Sequence, residues 1–282
     1  IPAYNEEETI RSVLRALVNV LTDFGQTYEI IVVNDGSTDR TRDEVLATGL
    51  SVILVDHLVN KGYGAALKSG INKARYETVV ITDSDGTYPI ERIPELVSMA
   101  DDKDWDMIVG ARIGDNVNIQ WIRRPAKWAI TKLDNYLSGK KIPDLNSGLR
   151  VMRKSVVNKY AGILPDGFSF TITITLAMLT NGYSVKYVPI DYFERKGQSK
   201  IQPIFDTLHF IQLVIRTVLY FNPLKVFVPL SLSLVLFAFF ILVGSWLYIG
   251  KVMDVAFGVI LMTAVMVIVV GMLADLIDKR IQ

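Results

Sequence analysis

Glu77-Thr78-Val79-Val80-Ile81-Thr82-Asp83-Ser84-Asp85-Gly86 reads as a strand that ends in two carboxylates and a glycine. Its nearly unbroken β-branched run suits a strand covered on both faces, and the glycine suits a sharp turn. The pattern recurs upstream. Glu29–Asn34 carries Ile30–Val33 into Asp35-Gly36-Ser37-Thr38-Asp39, and Ser51–Asp56 carries Val52–Val55. Between these strands, Glu6–Phe24, Thr38–Ala47, Gly62–Ala74 and Pro89–Met99 have helical spacing, and Asp106–Val109 forms a further strand. Such βα alternation predicts an α/β fold with a doubly wound, mostly parallel sheet over residues 1–200. The Ile1-Pro2 start predicts the tail of a truncated first strand. Ligands of doubly wound sheets bind beyond the carboxyl ends of the strands, and the polar motifs fall there.

Composition narrows the chemistry. The 282 residues carry 30 basic against 29 acidic side chains, so no nucleic acid partner is expected. The absence of cysteine excludes disulfides, thiolate zinc sites and cysteine nucleophiles. His57 and His209 are the only histidines, too few for a multi-histidine metal site.

The apolar residues gather at the C-terminal end. Residues 226–249 and 255–274 contain no charged side chain, and each run is long enough to cross a hydrocarbon core as a helix. The short link Gly250–Asp254 makes the pair a transmembrane hairpin over residues 225–282. Arg216 and Lys225 precede the first span and Lys279 and Arg280 follow the second, while the link holds only Lys251. The positive-inside bias places residues 1–200 and both chain ends in the cytoplasm. Residues 201–224 space Ile204, Leu208, Ile211, Ile215 and Leu219 helically, as either an interfacial amphipathic helix or a core-packed one. Small residues in the spans allow a homo-oligomer.

At the strand ends, Asp35 is expected to point into the cleft, with Ser37 or Asp39 capping the next helix. Asp83 and Asp85 suit a hard divalent cation held against a diphosphate, since magnesium takes one or two carboxylates plus phosphate oxygens and water. Asn60-Lys61-Gly62-Tyr63-Gly64 opens a helix but matches neither the dinucleotide fingerprint nor a Walker-type loop. Its backbone amides are still suited to approach a nucleotide.

Taken in order, Pro2-Ala3-Tyr4-Asn5-Glu6, Asn34-Asp35-Gly36-Ser37-Thr38-Asp39, Asn60-Lys61-Gly62-Tyr63-Gly64 and Asp83-Ser84-Asp85 resemble the motifs of family 2 glycosyltransferases. Asp144-Leu145-Asn146-Ser147-Gly148-Leu149-Arg150 and Arg195-Lys196-Gly197-Gln198-Ser199-Lys200 resemble the polyprenyl-phosphate branch, which includes dolichol-phosphate mannose synthases and bactoprenol glucosyltransferases. The resemblance implies a GT-A-type catalytic domain that moves a hexose from a GDP- or UDP-sugar to polyprenyl or dolichyl phosphate with Mg or Mn. It implies a nucleotide-sugar site at Pro2, Tyr4, Glu6, Asp35, Lys61, Gly62, Asp83 and Ser84, and a metal at Asp83 and Asp85. Asp85, Arg112 and Arg150 are the implied catalytic residues. Arg112, Arg195, Ser199 and Lys200 would meet the acceptor phosphate. Some relatives carry a glutamine two residues after the second aspartate as a metal ligand, whereas Thr87 stands here.

A phosphate acceptor fits this residue set. A hydroxyl must lose its proton to a base as it attacks, whereas a phosphate monoester with a second pKa of ~6 is already largely dianionic. Arginine forks match phosphate geometry, and Arg123 and Arg124 either add to the supply or, the reading slightly favoured, are solvated surface residues. A processive polysaccharide synthase would show Gln-x-x-Arg-Trp, but Gln120-Trp121-Ile122-Arg123-Arg124 has another order. A non-catalytic nucleotide-sugar-binding membrane protein would be expected to lack the carboxylates.

Overall fold

The computed structural model describes residues 1–102, 105–113, 142–167, 169–193, 223–251 and 253–281. The chain runs through β1 (Pro2–Ala3), α1 (Ile10–Phe24), β2 (Ile30–Asn34), α2 (Thr41–Leu46), β3 (Val52–Asp56), α3 (Tyr63–Lys73) and β4 (Thr78–Ile81). A 3-10 turn at Ile90–Arg92 leads into α4 (Ile93–Asp102) and β5 (Met107–Ala111). Then follow β6 (Arg150–Arg153), α5 (Lys154–Lys159), α6 (Phe170–Thr180) and β7 (Val185–Pro189). Two long helices close it, α7 (Leu224–Ile249) and α8 (Asp254–Ile281).

β1, β2 and β3 form a parallel sheet in that order, with Ile30 opposite Val52 and Asn34 opposite Asp56. β4, β6, β5 and β7 form a second sheet, in which β6 runs antiparallel to both neighbours and β5 runs parallel to β7. The mostly parallel expectation therefore holds with one reversed strand. Side chains close the seam between the sheets. Ser84 Oγ donates to the Pro2 carbonyl at 2.9 Å, and Thr9 Oγ1 donates to the Ser84 carbonyl at 2.8 Å. One core cluster spans both sheets, joining Ile10, Leu14, Ile30 and Val32 to Leu96, Ile108, Leu149 and Val151. Of the three apolar strands expected to be covered on both faces, β3 is the exception: it lies at an edge and is only half-buried.

Helix α1 begins at Ile10 rather than at Glu6, and the amides of residues 6 and 7 bond outside it. The Glu6 amide donates to Thr41 Oγ1 at 2.8 Å and the Glu7 amide to Asp39 Oδ2 at 3.2 Å. Asp39 Oδ1 accepts the Thr41 amide at 2.9 Å, but Arg40 holds the N-cap position of α2 and no side chain caps the helix, so the expected capping by Ser37 or Asp39 is not seen.

Helix α6 has no polar face because it is buried all round. Phe170, Ile174, Ala177 and Met178 pack in the cluster that covers β4, β5 and β6, while Ile172, Leu176 and Leu179 meet Ile142, Leu145 and Val226. Val226 lies in the first turn of α7, so α6 joins the sheet to the apolar hairpin.

α7 and α8 have 26 and 28 residues, and a 26-residue helix is about 39 Å long against a hydrocarbon core of about 30 Å. Both are long and apolar enough to cross a membrane, and most of their apolar side chains are exposed. They pack where small residues allow. Ala238 and Ala264 are buried, Ser231 Oγ donates to the Ala264 carbonyl at 2.8 Å, and Gly271 lies directly against Phe227. The expected amphipathic helix lies outside the described residues, except for its last two positions.

Candidate active site

The loops after β1 and β2 are laced together by their own polar side chains. The Asn5 amide donates to Ser37 Oγ at 3.1 Å, and the Thr38 amide donates to Asn5 Oδ1 at 2.8 Å. Asn5 holds a positive φ of 55°, a conformation asparagine tolerates better than most residues. This lacing explains why short side chains with hydrogen-bonding groups fill both stretches. Pro2 is buried at its base, Glu6 lies within it, and Tyr4 stays exposed at its rim.

Asp35 does not project into open space. It is 3% exposed, and its carboxylate accepts the Lys61 amide at 3.0 Å, the Gly62 amide at 2.8 Å and a hydrogen bond from His57 Nδ1 at 2.6 Å. Three expected nucleotide-site residues thus meet in one cluster, but Asp35 acts there as the anchor of the 60–62 loop. The Lys61 and Gly62 amides turn inward to it. Gly36 has to be glycine: its φ is +68°, and a Cβ there would lie 2.4 Å from the Val59 carbonyl carbon.

β4 delivers Asp83, Ser84 and Asp85 to the carboxyl end of the sheet. Asp83 accepts the Tyr63 hydroxyl at 3.0 Å and presses against Gly148, where a Cβ would lie 2.7 Å from both of its oxygens. Burial first, and then the charge of Asp83, push the Tyr63 phenol well above its ordinary pKa, so it stays a protonated donor. Asp85 is 8% exposed, and its Oδ1 accepts both the Thr87 amide at 3.1 Å and the Thr87 hydroxyl at 2.6 Å. Thr87 therefore orients Asp85. Among the described residues, no cluster of three or more histidine, cysteine or acidic side chains is suited to a metal.

Behind Asp83 stands an aromatic stack. The Gly148 amide donates to the Tyr88 hydroxyl at 2.6 Å, and Tyr88 meets Tyr192 edge to face at 5.3 Å. The Arg112 guanidinium lies 5.1 Å over the Tyr192 ring. Burial raises the Tyr88 pKa above its ordinary value, so this hydroxyl too stays protonated. Sequence reasoning missed Tyr88, Tyr192 and the structural part of Tyr63. The last was legible in principle, because it stands inside the Asn60–Gly64 motif.

Arg112 makes a two-pronged contact with Asp144, Nε to Oδ2 at 2.8 Å and Nη2 to Oδ1 at 2.9 Å. Burial opposes charge on both groups, yet the hydrogen bonds outweigh it, raising the Arg112 pKa and lowering that of Asp144. The Asp144 carboxylate thus contributes stability that is complete above its ordinary value of 3.8 and is lost as pH falls below it toward the depressed folded value. Asp144→Asn is expected to cost roughly 3 kcal/mol at neutral pH and to flatten the acid limb of a urea-unfolding series. A variant with the wild-type acid limb would contradict the pairing.

Arg150, the last residue of the Asp144–Arg150 motif, turns inward. It is fully buried, with Nε on the Ser147 carbonyl at 2.8 Å, Nη2 on the Leu145 carbonyl at 2.7 Å and Nη1 on Thr175 Oγ1 at 2.5 Å. Burial lowers its pKa from the ordinary arginine value. A guanidinium enclosed this way pins the 144–149 loop to α6. Arg123, Arg124, Arg195, Ser199 and Lys200 lie outside the described residues.

Comparison with known proteins gives this arrangement a family. Residues 1–161 match the family described as Glycosyl transferase family 2. The chain is 33% identical over 201 residues to a dolichyl-phosphate hexose transferase of Haloferax volcanii, covering 71% of this chain and 84% of that protein. It is also 33% identical over 163 residues to an undecaprenyl-phosphate 4-deoxy-4-formamido-L-arabinose transferase of Edwardsiella ictaluri, where the match spans 56% of this chain but only 49% of the relative. Among solved structures it resembles Mycobacterium tuberculosis glucosyl-3-phosphoglycerate synthase in complex with Mn2+, UDP-glucose and phosphoglyceric acid. That likeness has a TM-score of 0.59 at 19% identity, covers 77% of each chain, and speaks for the fold, which is thereby GT-A-like. With more than half of its length matched and an archaeal relative aligned over most of its own, the chain belongs to glycosyl transferase family 2.

Proposed function

We propose that this chain transfers a hexose from a nucleotide-sugar to a polyprenyl phosphate at the cytoplasmic face of a membrane, with inversion at the anomeric carbon. The observation that carries the reading is Asp83-Ser84-Asp85 at the end of β4, with one carboxylate set by Tyr63 and Gly148 and the other by Thr87. The names of the archaeal and bacterial relatives, both polyprenyl-phosphate sugar transferases, support the acceptor.

The two carboxylates fit a divalent cation, Mg or Mn. Hard cations of this kind take one or two carboxylates and complete their shell with phosphate oxygens and water. The crowding at Gly148 supports the fit, because a methyl group there would collide with Asp83. A bound cation would neutralise charge on the departing nucleoside diphosphate. The chain itself supplies the rest. The lacing around Pro2, Tyr4, Glu6 and the Asp35-anchored Lys61–Gly62 loop forms the donor side, with Ser84 tying β4 to β1. An oxygen of the lipid phosphate forms the new bond to the anomeric carbon as the bond to the donor diphosphate breaks. The electron pair leaves with the nucleoside diphosphate. A dianionic phosphate needs no side chain to remove a proton, which suits a site built of carboxylates, tyrosines and arginines. Arg112 stands beside this site already paired with Asp144, a preorganised cation whose donors are partly engaged. Arg195, Ser199 and Lys200, next in sequence before the apolar helices, complete the acceptor side in this reading.

The exposed apolar surfaces of α7 and α8 support insertion as a hairpin, since such surfaces are costly in water. The basic residues at the outer ends support a cytoplasmic catalytic domain and cytoplasmic chain ends.

Two assays test the reading. Stripping divalent cations with a chelator is expected to abolish transfer, and added Mn or Mg to restore it. Polyprenyl phosphate is expected to accept the sugar while the matching polyprenol, which lacks the phosphate, does not. Equal transfer to the polyprenol would refute the acceptor.

A further inference from the structure

His57 lies just past β3, is 9% exposed, and has no part in the scheme above. Its amide donates to the Asn34 carbonyl at 2.9 Å, which extends the β2–β3 ladder by one rung and fixes the residue beside Asp35. The ring bridges two elements, with Nδ1 2.6 Å from Asp35 Oδ1 and Nε2 2.9 Å from Ser69 Oγ on α3. A carboxylate only accepts, so Nδ1 carries the hydrogen, and Ser69 fixes the other nitrogen. The order Ser69, His57, Asp35 is that of a hydrolytic triad, but Ser69 sits inside α3, where the neighbouring amides belong to the helix. Amides spent inside a helix are not free to hold an oxyanion, so the geometry suits a brace better than a hydrolytic site.

What it braces is the loop after β3. The same Asp35 carboxylate that receives His57 also receives the Lys61 and Gly62 amides. Val59 and Asn60 lie against Gly36, and a Cβ at Gly62 would come 2.6 Å from the Asp166 carbonyl oxygen. A loop packed this tightly on both sides keeps its shape only while its anchor stays in place.

We infer that His57, braced by Ser69, is a positioning residue that holds Asp35 and, through it, sets the Lys61–Gly62 loop for the nucleoside diphosphate of the donor. This rests on the donor reading above, and the test separates the two. Amide hydrogen exchange is measured on the nucleotide-free full chain, and Kd for UDP and GDP on the same preparations, for wild type, His57→Phe, His57→Asn and Ser69→Ala. His57→Phe is expected to speed exchange at Lys61 and Gly62 by about tenfold or more while amides in β6 keep their rates. It is expected to raise Kd and donor KM by roughly tenfold with a smaller change in kcat. His57→Asn, whose side-chain N–H reaches toward Asp35, should recover most of both losses. If His57→Phe fails to fold, Ser69→Ala, which leaves the Asp35 contact but removes the brace, should show the same changes at smaller size. Wild-type exchange at Lys61 and Gly62 in these variants overturns the inference. Exchange that responds in a protein that binds neither nucleotide supports the brace and refutes the donor reading instead.

Discussion

Asp85→Asn is expected to lower hexose transfer by about a thousandfold or more while leaving the protein folded. The reason lies in what the substitution keeps. Asp85 Oδ1 accepts the amide and the hydroxyl of Thr87, and an asparagine oxygen accepts both in the same geometry, though more weakly. The charge disappears and the local hydrogen bonds remain. Asp85→Ala should show the same loss of transfer, but it also strands the two buried Thr87 donors at a cost of about 1–3 kcal/mol. Thermal unfolding alongside turnover separates the effects. Wild-type turnover by Asp85→Asn would remove this carboxylate from the chemistry.

Gly148→Ala is the second large effect expected, and it acts without touching a charged group. Its new Cβ would lie 2.7 Å from both oxygens of Asp83 and 2.9 Å from the carboxyl carbon, so one side must move. The backbone at 148 is held in place. Its amide donates to Tyr88, the preceding Ser147 hydroxyl bonds the Gly110 carbonyl, and the following Leu149 is fully buried. The carboxylate is the softer partner, and it turns away from the Tyr63 hydroxyl. Misplacing a reacting group by about 1 Å costs on the order of a hundredfold in rate. Transfer should fall by that factor, and half-saturation should need more Mn, with only a small drop in melting temperature. A variant with the wild-type Mn dependence would show that Asp83 does not hold the cation.

Both predictions use contacts that only the folded chain reveals, and the limits of the sequence are visible at particular residues. β2 and β4 were legible because Ile30–Val33 and Val79–Ile81 are β-branched runs that stay apolar on both faces. β6 was not, because Arg150-Val151-Met152-Arg153 is bounded by two arginines and gains its place by antiparallel pairing with β4 and β5, each distant in sequence. The motif that contains Arg150 is readable, but the direction of its side chain is not. Nothing in Asp144–Arg150 says that Arg112 will take Asp144 while Arg150 turns inward to Thr175. Asp35 makes the same point, since a carboxylate at a strand end suits a ligand contact and a loop anchor equally well. The start of α1 also lies later than its spacing suggests. Glu6 and Glu7 have helical neighbours, and the contacts of their amides with Thr41 and Asp39, far away in sequence, are not legible in the spacing.

The most direct test of hexose transfer to a lipid phosphate uses two labels. Purified protein is given polyprenyl phosphate, Mn and a panel of UDP- and GDP-hexoses labelled either in the sugar or in the β-phosphate. The predicted result is that, for one donor, the sugar label moves into the organic phase while the β-phosphate label stays in water with the nucleoside diphosphate. Both labels entering the lipid together, or neither entering with any donor, would contradict it.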